Sequence, residues 1–168
     1  MPEKVRLLSD PILRKPCVEV DPTKDAPYIL GLIEAMNETM RAEGGMGLAA
    51  NQIGRSVRVF ILKENETFRE YINPQVVRMA ELVAFEGEAC LSIPGTSATT
   101  KRYKSLELVW FDRNGNRTTG SFEGVGAFAV QHEIDHLDGK LYVDQFGPVK
   151  RDLVVGKHRK YLREVGRR

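Results

Sequence analysis

The chain has 168 residues, 42% of them apolar and 29% charged, with a net charge of +2. That balance excludes a disordered or fibrous protein, and the length suits a sizeable core in one domain, expected to span residues 1–168. No apolar run approaches the roughly 20 residues needed to cross a bilayer, so no membrane partner is expected.

The opening Met1-Pro2-Glu3-Lys4-Val5-Arg6 lacks the apolar core of a secretory signal, which makes a cytoplasmic location the expectation. Pro2, Pro11, Pro16, Pro22 and Pro27 predict an extended or turning arm rather than a helix. Residues 28–43 then read as an amphipathic helix. Ile29, Leu32, Ile33, Met36 and Met40 form its apolar stripe, Pro27 sits in the first turn, and Gly44-Gly45 supplies the stop. Residues 57–62 and 106–111 read as strands. Asn114-Gly115 is the expected hairpin tip, and residues 118–122 the returning strand. Residues 125–137 form a helix that is apolar nearly all round and therefore expected inside the fold, with Gly139 as a left-handed cap. A last helix is predicted over 151–165, apolar at Leu153, Val154, Tyr161, Leu162 and Val165 and basic elsewhere. The predicted class is α+β: antiparallel or mixed sheets around a buried central helix, with an N-terminal and a C-terminal helix.

The central helix carries His132-Glu133-Ile134-Asp135-His136, which holds two of the chain's three histidines. Residues four apart share one helix face, so both imidazoles can bind one divalent cation, with Glu133 beside them to handle a proton. A catalytic site of this kind needs a third protein ligand. The extension that would supply another histidine fails, because that position is Tyr142. His158 reads as a surface residue of a basic helix, while Asp144, Asp152 and Glu164 remain candidate carboxylates. Cys90, in Glu88-Ala89-Cys90-Leu91-Ser92, is the better candidate, since a thiolate binds zinc or ferrous iron strongly. Spacing alone does not separate that role from a buried core cysteine. Cys17 is likewise open between core residue, ligand and nucleophile; a disulfide between the two is not expected in a reducing compartment.

Three segments carry a resemblance. Gly45-Met46-Gly47-Leu48-Ala49-Ala50-Asn51-Gln52, Glu88-Ala89-Cys90-Leu91-Ser92 and Gln131-His132-Glu133-Ile134-Asp135-His136 resemble, in this order, the three motifs of peptide deformylases. Asp10-Pro11-Ile12-Leu13-Arg14 resembles that family's N-terminal arm, and the final helix is similar to the bacterial form that ends in a helix. The resemblance implies an enzyme that removes the formyl group from the initiator methionine of new polypeptides and releases formate. It implies one divalent metal on Cys90, His132 and His136, ferrous iron foremost with zinc an alternative. It assigns proton transfer to Glu133 and donors for the formyl oxygen to Gln52 and the Leu91 N–H. Gly45, Gly47 and Glu88 join the substrate-binding residues. On the metal-facing side of the helix, Val125, Phe128 and Ala129, with Met46, are expected to form an apolar slot for the methionine side chain.

Two positions depart from the pattern. Ala89 stands where the family has glycine, and Ser97 where many members have arginine. They motivate an alternative, a homologue acting on another formylated substrate. Residues 150–168 hold eight Lys or Arg against Asp152 and Glu164. Lys157, Arg159, Lys160, Arg163, Arg167 and Arg168 make the ribosome a candidate partner through RNA phosphates, with no sequence-specific nucleic-acid recognition. A ribosome-bound homologue with weak activity, or a general endopeptidase, are the other readings.

Overall fold

The structure is a computed structural model and describes residues 2–166. Strands β1 (Gly47–Ala49), β2 (Val59–Glu64), β3 (Thr67–Glu88), β4 (Ala98–Phe111) and β5 (Arg117–Glu123) form one sheet in that order. Every neighbouring pair is antiparallel, and the isolated parallel bridge Val18–Val57 lies outside the named strands. Helices α1 (Ala26–Glu43), α2 (Gly124–Leu137) and α3 (Pro148–Glu164) complete the regular elements. The fold is thus α+β. Among the described residues, no helix is long and apolar enough to cross a membrane.

Helix α1 follows its sequence signals. Pro27 lies in the first turn, where a missing N–H is harmless, and Gly44 ends it at a φ of 72°. Ile29, Leu32, Ile33, Met36 and Met40 are all buried, packed with Leu48, Val59 and Ile61 of β1 and β2. The hairpin between β4 and β5 turns at Gly115, whose φ is 78°.

Strand β3 was not predicted, and β4 begins at Ala98 rather than at 106. Register shifts after Ile72, Val76 and Phe85 interrupt the in-out alternation of β3, so no clean period of two survives in its sequence. These two long strands bring Glu88, at the end of β3, opposite Ala98.

Helix α2 packs against β4, β1, β2 and β5. Ala127, Val130 and Leu137 join Phe60, Tyr71, Leu106, Leu108 and Trp110 in one core cluster, in which Phe60 and Tyr71 stack at 4.6 Å. Its first turn departs from the expected all-round burial, because Val125 is 57% exposed. The N-terminal arm lies against the other end of α2. The Cys17 N–H donates to Leu137 O at 2.7 Å, and a Cβ at Gly139 would come within 2.7 Å of Arg14 O. Gly139 is therefore glycine for space as well as for its φ of 72°.

Helix α3 begins at Pro148, three residues before the predicted start. The apolar stripe read from its sequence is wrong in part: Leu153 is 62% exposed, while Val154 and His158 are buried. His158 is thus no surface histidine. Arg167 and Arg168 lie outside the described residues.

Candidate functional site

His132 and His136 stand one turn apart on α2, with ring centroids 5.0 Å apart. Cys90 enters from the segment after β3, its Sγ 3.1 Å from His136 Nε2. The ligand atoms of Cys90, His132 and His136 all lie within 4.8 Å of one another. Among the described residues this is the group of three that can hold a metal ion; Asp144, Asp152 and Glu164 do not enter it. Of the two cysteines, Cys90 is the one at the cluster, and it is buried there. Cys17 lies elsewhere in the core, its thiol pushed up to about 11 chiefly by burial.

His132 is oriented from behind. Its Nδ1 is 2.6 Å from Glu88 Oε1, which leaves Nε2 for a cation. Glu88 in turn accepts from Arg102 Nε at 3.0 Å, from Arg102 Nη2 at 2.5 Å and from the Thr100 hydroxyl. Arg102 also donates through Nη1 to Asp135 Oδ2 at 2.6 Å. Burial alone would raise the Glu88 carboxyl, but its bonds to His132 and Arg102 outweigh that and hold it at about 2. Burial favours the neutral His132 ring, yet the Cys90 and Glu88 contacts prevail and raise its pKa well above the ordinary value. His136 goes the other way: burial, with His132 nearby, holds it well below.

Glu133 is buried, and its Oε2 has no hydrogen-bond partner among the described residues. Burial is the main reason its carboxyl rises to about 7; the Glu88 charge adds to this and His132 opposes it. Gln52 sits in the short 3-10 turn Ala50–Ile53. Its Oε1 accepts from Ala49 N at 2.9 Å, which fixes the amide, and Nε2 donates to Ser92 Oγ at 3.0 Å while lying 3.6 Å from Cys90 Sγ. Asn51 of the same turn donates to His136 O at 2.6 Å, tying the turn to α2.

A cavity of about 440 Å³ opens onto these groups. Gly45, Met46, Gly47, Gln52, Glu88, Cys90, Leu91, Val125, Phe128, Ala129, His132 and Glu133 all border it, and His136 lies buried behind. Of the site residues expected from the sequence, all but His136 border the cavity. Glu88 borders the cavity, and its carboxylate is engaged by His132, Arg102 and Thr100. Sequence reasoning missed Phe85, whose ring lies tilted against Phe128 with centroids 4.6 Å apart, and Pro94, Gly95 and Thr96 on the cavity wall. It also missed Arg102, whose part appears only when β3 and β4 pair. A larger cavity, about 820 Å³, is lined partly by the ion pairs Arg58–Asp138 and Arg102–Asp135 and touches none of Cys90, Glu133 or His132.

The two departures have different fates. Gly87 takes a φ of 78°, whereas Ala89 is not among the residues with positive φ, so its methyl group adds no backbone strain. Ser97 is exposed and does not border the cavity.

A family model for polypeptide deformylase matches residues 2–152. The chain belongs to the polypeptide deformylase family. A peptide deformylase of Syntrophobacter fumaroxidans is 37% identical over 161 residues, covering 93% of each chain. The crystal structure of a peptide deformylase from Legionella pneumophila superposes with a TM-score of 0.91 at 34% identity, covering 100% of this chain and 99% of that one. The likeness therefore includes α3, where the family model stops. A structure of the Acinetobacter baumannii peptide deformylase with Met-Ala-Ser bound gives a TM-score of 0.81 at 27% identity, covering 87% of this chain and 99% of that one. This chain is accordingly an enzyme of the deformylase family, and the Cys-His-His cluster is its candidate metal centre.

Proposed function

We propose that this enzyme removes the N-formyl group from the initiator methionine of nascent polypeptides, releasing formate and a free amino terminus. The observation that carries the reading is one constellation: a Cys90–His132–His136 donor set, buried but for the half-buried His132, beside a Glu133 Oε2 with no partner among the described residues, at a cavity flanked by Phe128 and Ala129. The donor set fits a divalent cation, with thiolate and imidazole suited to ferrous iron, our choice in the cell, or to zinc. When bound, the cation acts as a Lewis acid that makes water nucleophilic near neutral pH.

The chain's own groups supply the rest. Glu133 accepts the proton of the attacking water and returns it to the departing amine, one residue serving first as base and then as acid. The Gln52 amide and the Leu91 N–H meet the negative charge that develops on the formyl oxygen; losing one such donor typically costs about 2.7–4 kcal/mol. The Leu91 N–H has no backbone acceptor among the described residues, which leaves it free for that role. Glu88 holds the His132 ring in place throughout. Met46, Val125, Phe128 and Ala129 receive the methionine side chain, with Gly45 and Gly47 letting the peptide approach the backbone.

The test is formate release from formyl-Met-Ala-Ser by anaerobically purified protein, with metal analysis of the same sample. No formate with iron bound would sink the assignment. A different formylated substrate would show as turnover on it and none on the peptide, and an endopeptidase would cut casein. The reading places the enzyme in the cytoplasm, near the ribosome. Lys157, Arg159, Lys160 and Arg163 are exposed on α3, which supports docking on RNA phosphates. Unchanged ribosome affinity at low salt after removal of residues 149–168 would eliminate the docking.

A further inference from the structure

Helix α3 turns one narrow face to the segment that follows Cys90. Val154, His158 and Tyr161 stand at i, i+4 and i+7, which is one stripe of a helix. Val154 shares a core cluster with Cys90 and Ile93. His158 is buried, and its Nδ1 lies 3.0 Å from Pro94 O. A carbonyl oxygen only accepts, so that nitrogen carries the proton. The Tyr161 ring lies over Gly95, whose φ is 77°; a Cβ at that position would overlap the ring. From the preceding turn, Tyr142 OH is 2.7 Å from Thr96 Oγ1. The Thr96 hydroxyl already donates to Ile93 O at 2.7 Å, so Tyr142 is the donor between them.

Pro94, Gly95 and Thr96 are wall residues of the 440 Å³ cavity. Three aromatic side chains that do not border the cavity therefore hold three consecutive residues that do. We propose that α3 is a positioning element of the substrate pocket: His158 and Tyr161 fix Pro94 and Gly95, and Tyr142 fixes Thr96, so that a formyl-peptide meets a wall already in place. The inference rests on the deformylase reading. Without the brace, the peptide must order this wall as it binds, and the loss falls on KM while the groups that carry out the chemistry are untouched.

The experiment measures formate release from formyl-Met-Ala-Ser by iron-loaded wild type, His158→Ala, His158→Asn and Tyr161→Leu, with melting temperature and metal content of each. His158→Ala should raise KM about five- to tenfold, the scale of one lost hydrogen bond, with kcat within about twofold. His158→Asn, whose amide N–H can reach the same carbonyl, should restore KM to within about twofold of wild type. A purely structural histidine would lower the melting temperature and leave KM unchanged, and that result overturns the proposal. If His158→Ala does not fold, Tyr161→Leu decides, since a wild-type KM there also overturns it. Binding of Met-Ala-Ser, followed by NMR titration, should weaken in the same variants and equal affinity would refute the bracing. Because that readout needs no turnover, a wild type without formate release counts against the deformylase reading alone.

Discussion

Gly47 lies directly against the Glu133 carboxylate: a Cβ at position 47 would overlap Oε1 and come within 2.8 Å of Leu62 Cδ2. The glycine in the first motif thus sets the place of the glutamate in the third. Gly47→Ala leaves the β1–β2 pairing available, because that uses backbone groups, but the carboxylate must move. Turnover should fall about 10–100-fold, the usual effect of a misplaced catalytic group, with metal content unchanged. Steady-state formate release beside metal analysis checks this. A kcat near wild type would mean that position 47 does not set the carboxylate.

Glu133→Gln keeps the volume and removes the proton acceptor. Turnover should drop by roughly 10²–10⁴, the range for losing a general base, while Cys90, His132 and His136 retain the metal. Burial disfavours the charge on Glu133, so the melting temperature of the metal-free variant should not fall. Loss of metal together with activity would show that Glu133 supports the cluster rather than the proton transfer.

Much of this was legible because punctuation residues are local signals. Pro27 and Gly44 bound α1, Asn114-Gly115 marks a hairpin, and Gly139 closes α2; each acts through its own backbone geometry. The motif residues were legible because their types carry chemistry. What stayed hidden depends on pairing distant segments. Strand β3 is bulged, so its alternation breaks where its register shifts. Arg102, within Lys101-Arg102-Tyr103-Lys104, reads as one more solvated cation until β3 and β4 pair and bury it behind Glu88. His158 was masked by the basic residues around it, because the inward face of α3 is only Val154, His158 and the half-buried Tyr161 wide.

Arg102→Met tests the support of His132. The substitution leaves the Glu88 carboxylate buried without its main cationic partner, and of the groups behind it only the Thr100 hydroxyl still holds it against the imidazole. Metal affinity should fall about 10–100-fold, as for other partners that orient a metal-binding histidine. Stability should drop by about 3–5 kcal/mol, the usual result of stranding a buried charge. Chelator competition and chemical denaturation measure the two. Unchanged affinity in a folded variant would show that Glu88 orients His132 without help.

Phe128→Ala tests the methionine slot. Phe128 packs on Phe85 and borders the cavity, so truncation widens the slot and removes apolar contact. The preference for formyl-methionine peptides over formyl-alanine peptides should shrink by roughly tenfold or more, since even one methylene in an apolar pocket is worth about that much. Competing the two substrates in one assay gives the ratio. A change in stability with the preference intact would make Phe128 a core residue only.

Glu70 predicts an acid limb in stability. Its carboxylate accepts from Arg113 Nε at 2.9 Å, from Nη2 at 2.6 Å and from the Arg113 backbone N–H at 3.2 Å. Burial would raise its pKa, but the bonds from Arg113 prevail and hold it below the ordinary 4.5. A carboxyl with a lowered pKa in the folded state stabilises that state above its unfolded pKa, and the contribution is lost as pH falls through the folded value. Glu70→Gln cannot ionise, so it lacks this contribution at any pH. At pH 7 the variant should be less stable by about 2 kcal/mol, the scale of a charge-assisted pair. The gap should narrow from about pH 4.5 downward, as the wild-type carboxyl takes up its proton. Urea denaturation of both proteins between pH 7 and 3 gives the difference directly. A constant gap across that range would mean that Glu70 acts through packing and not through its charge.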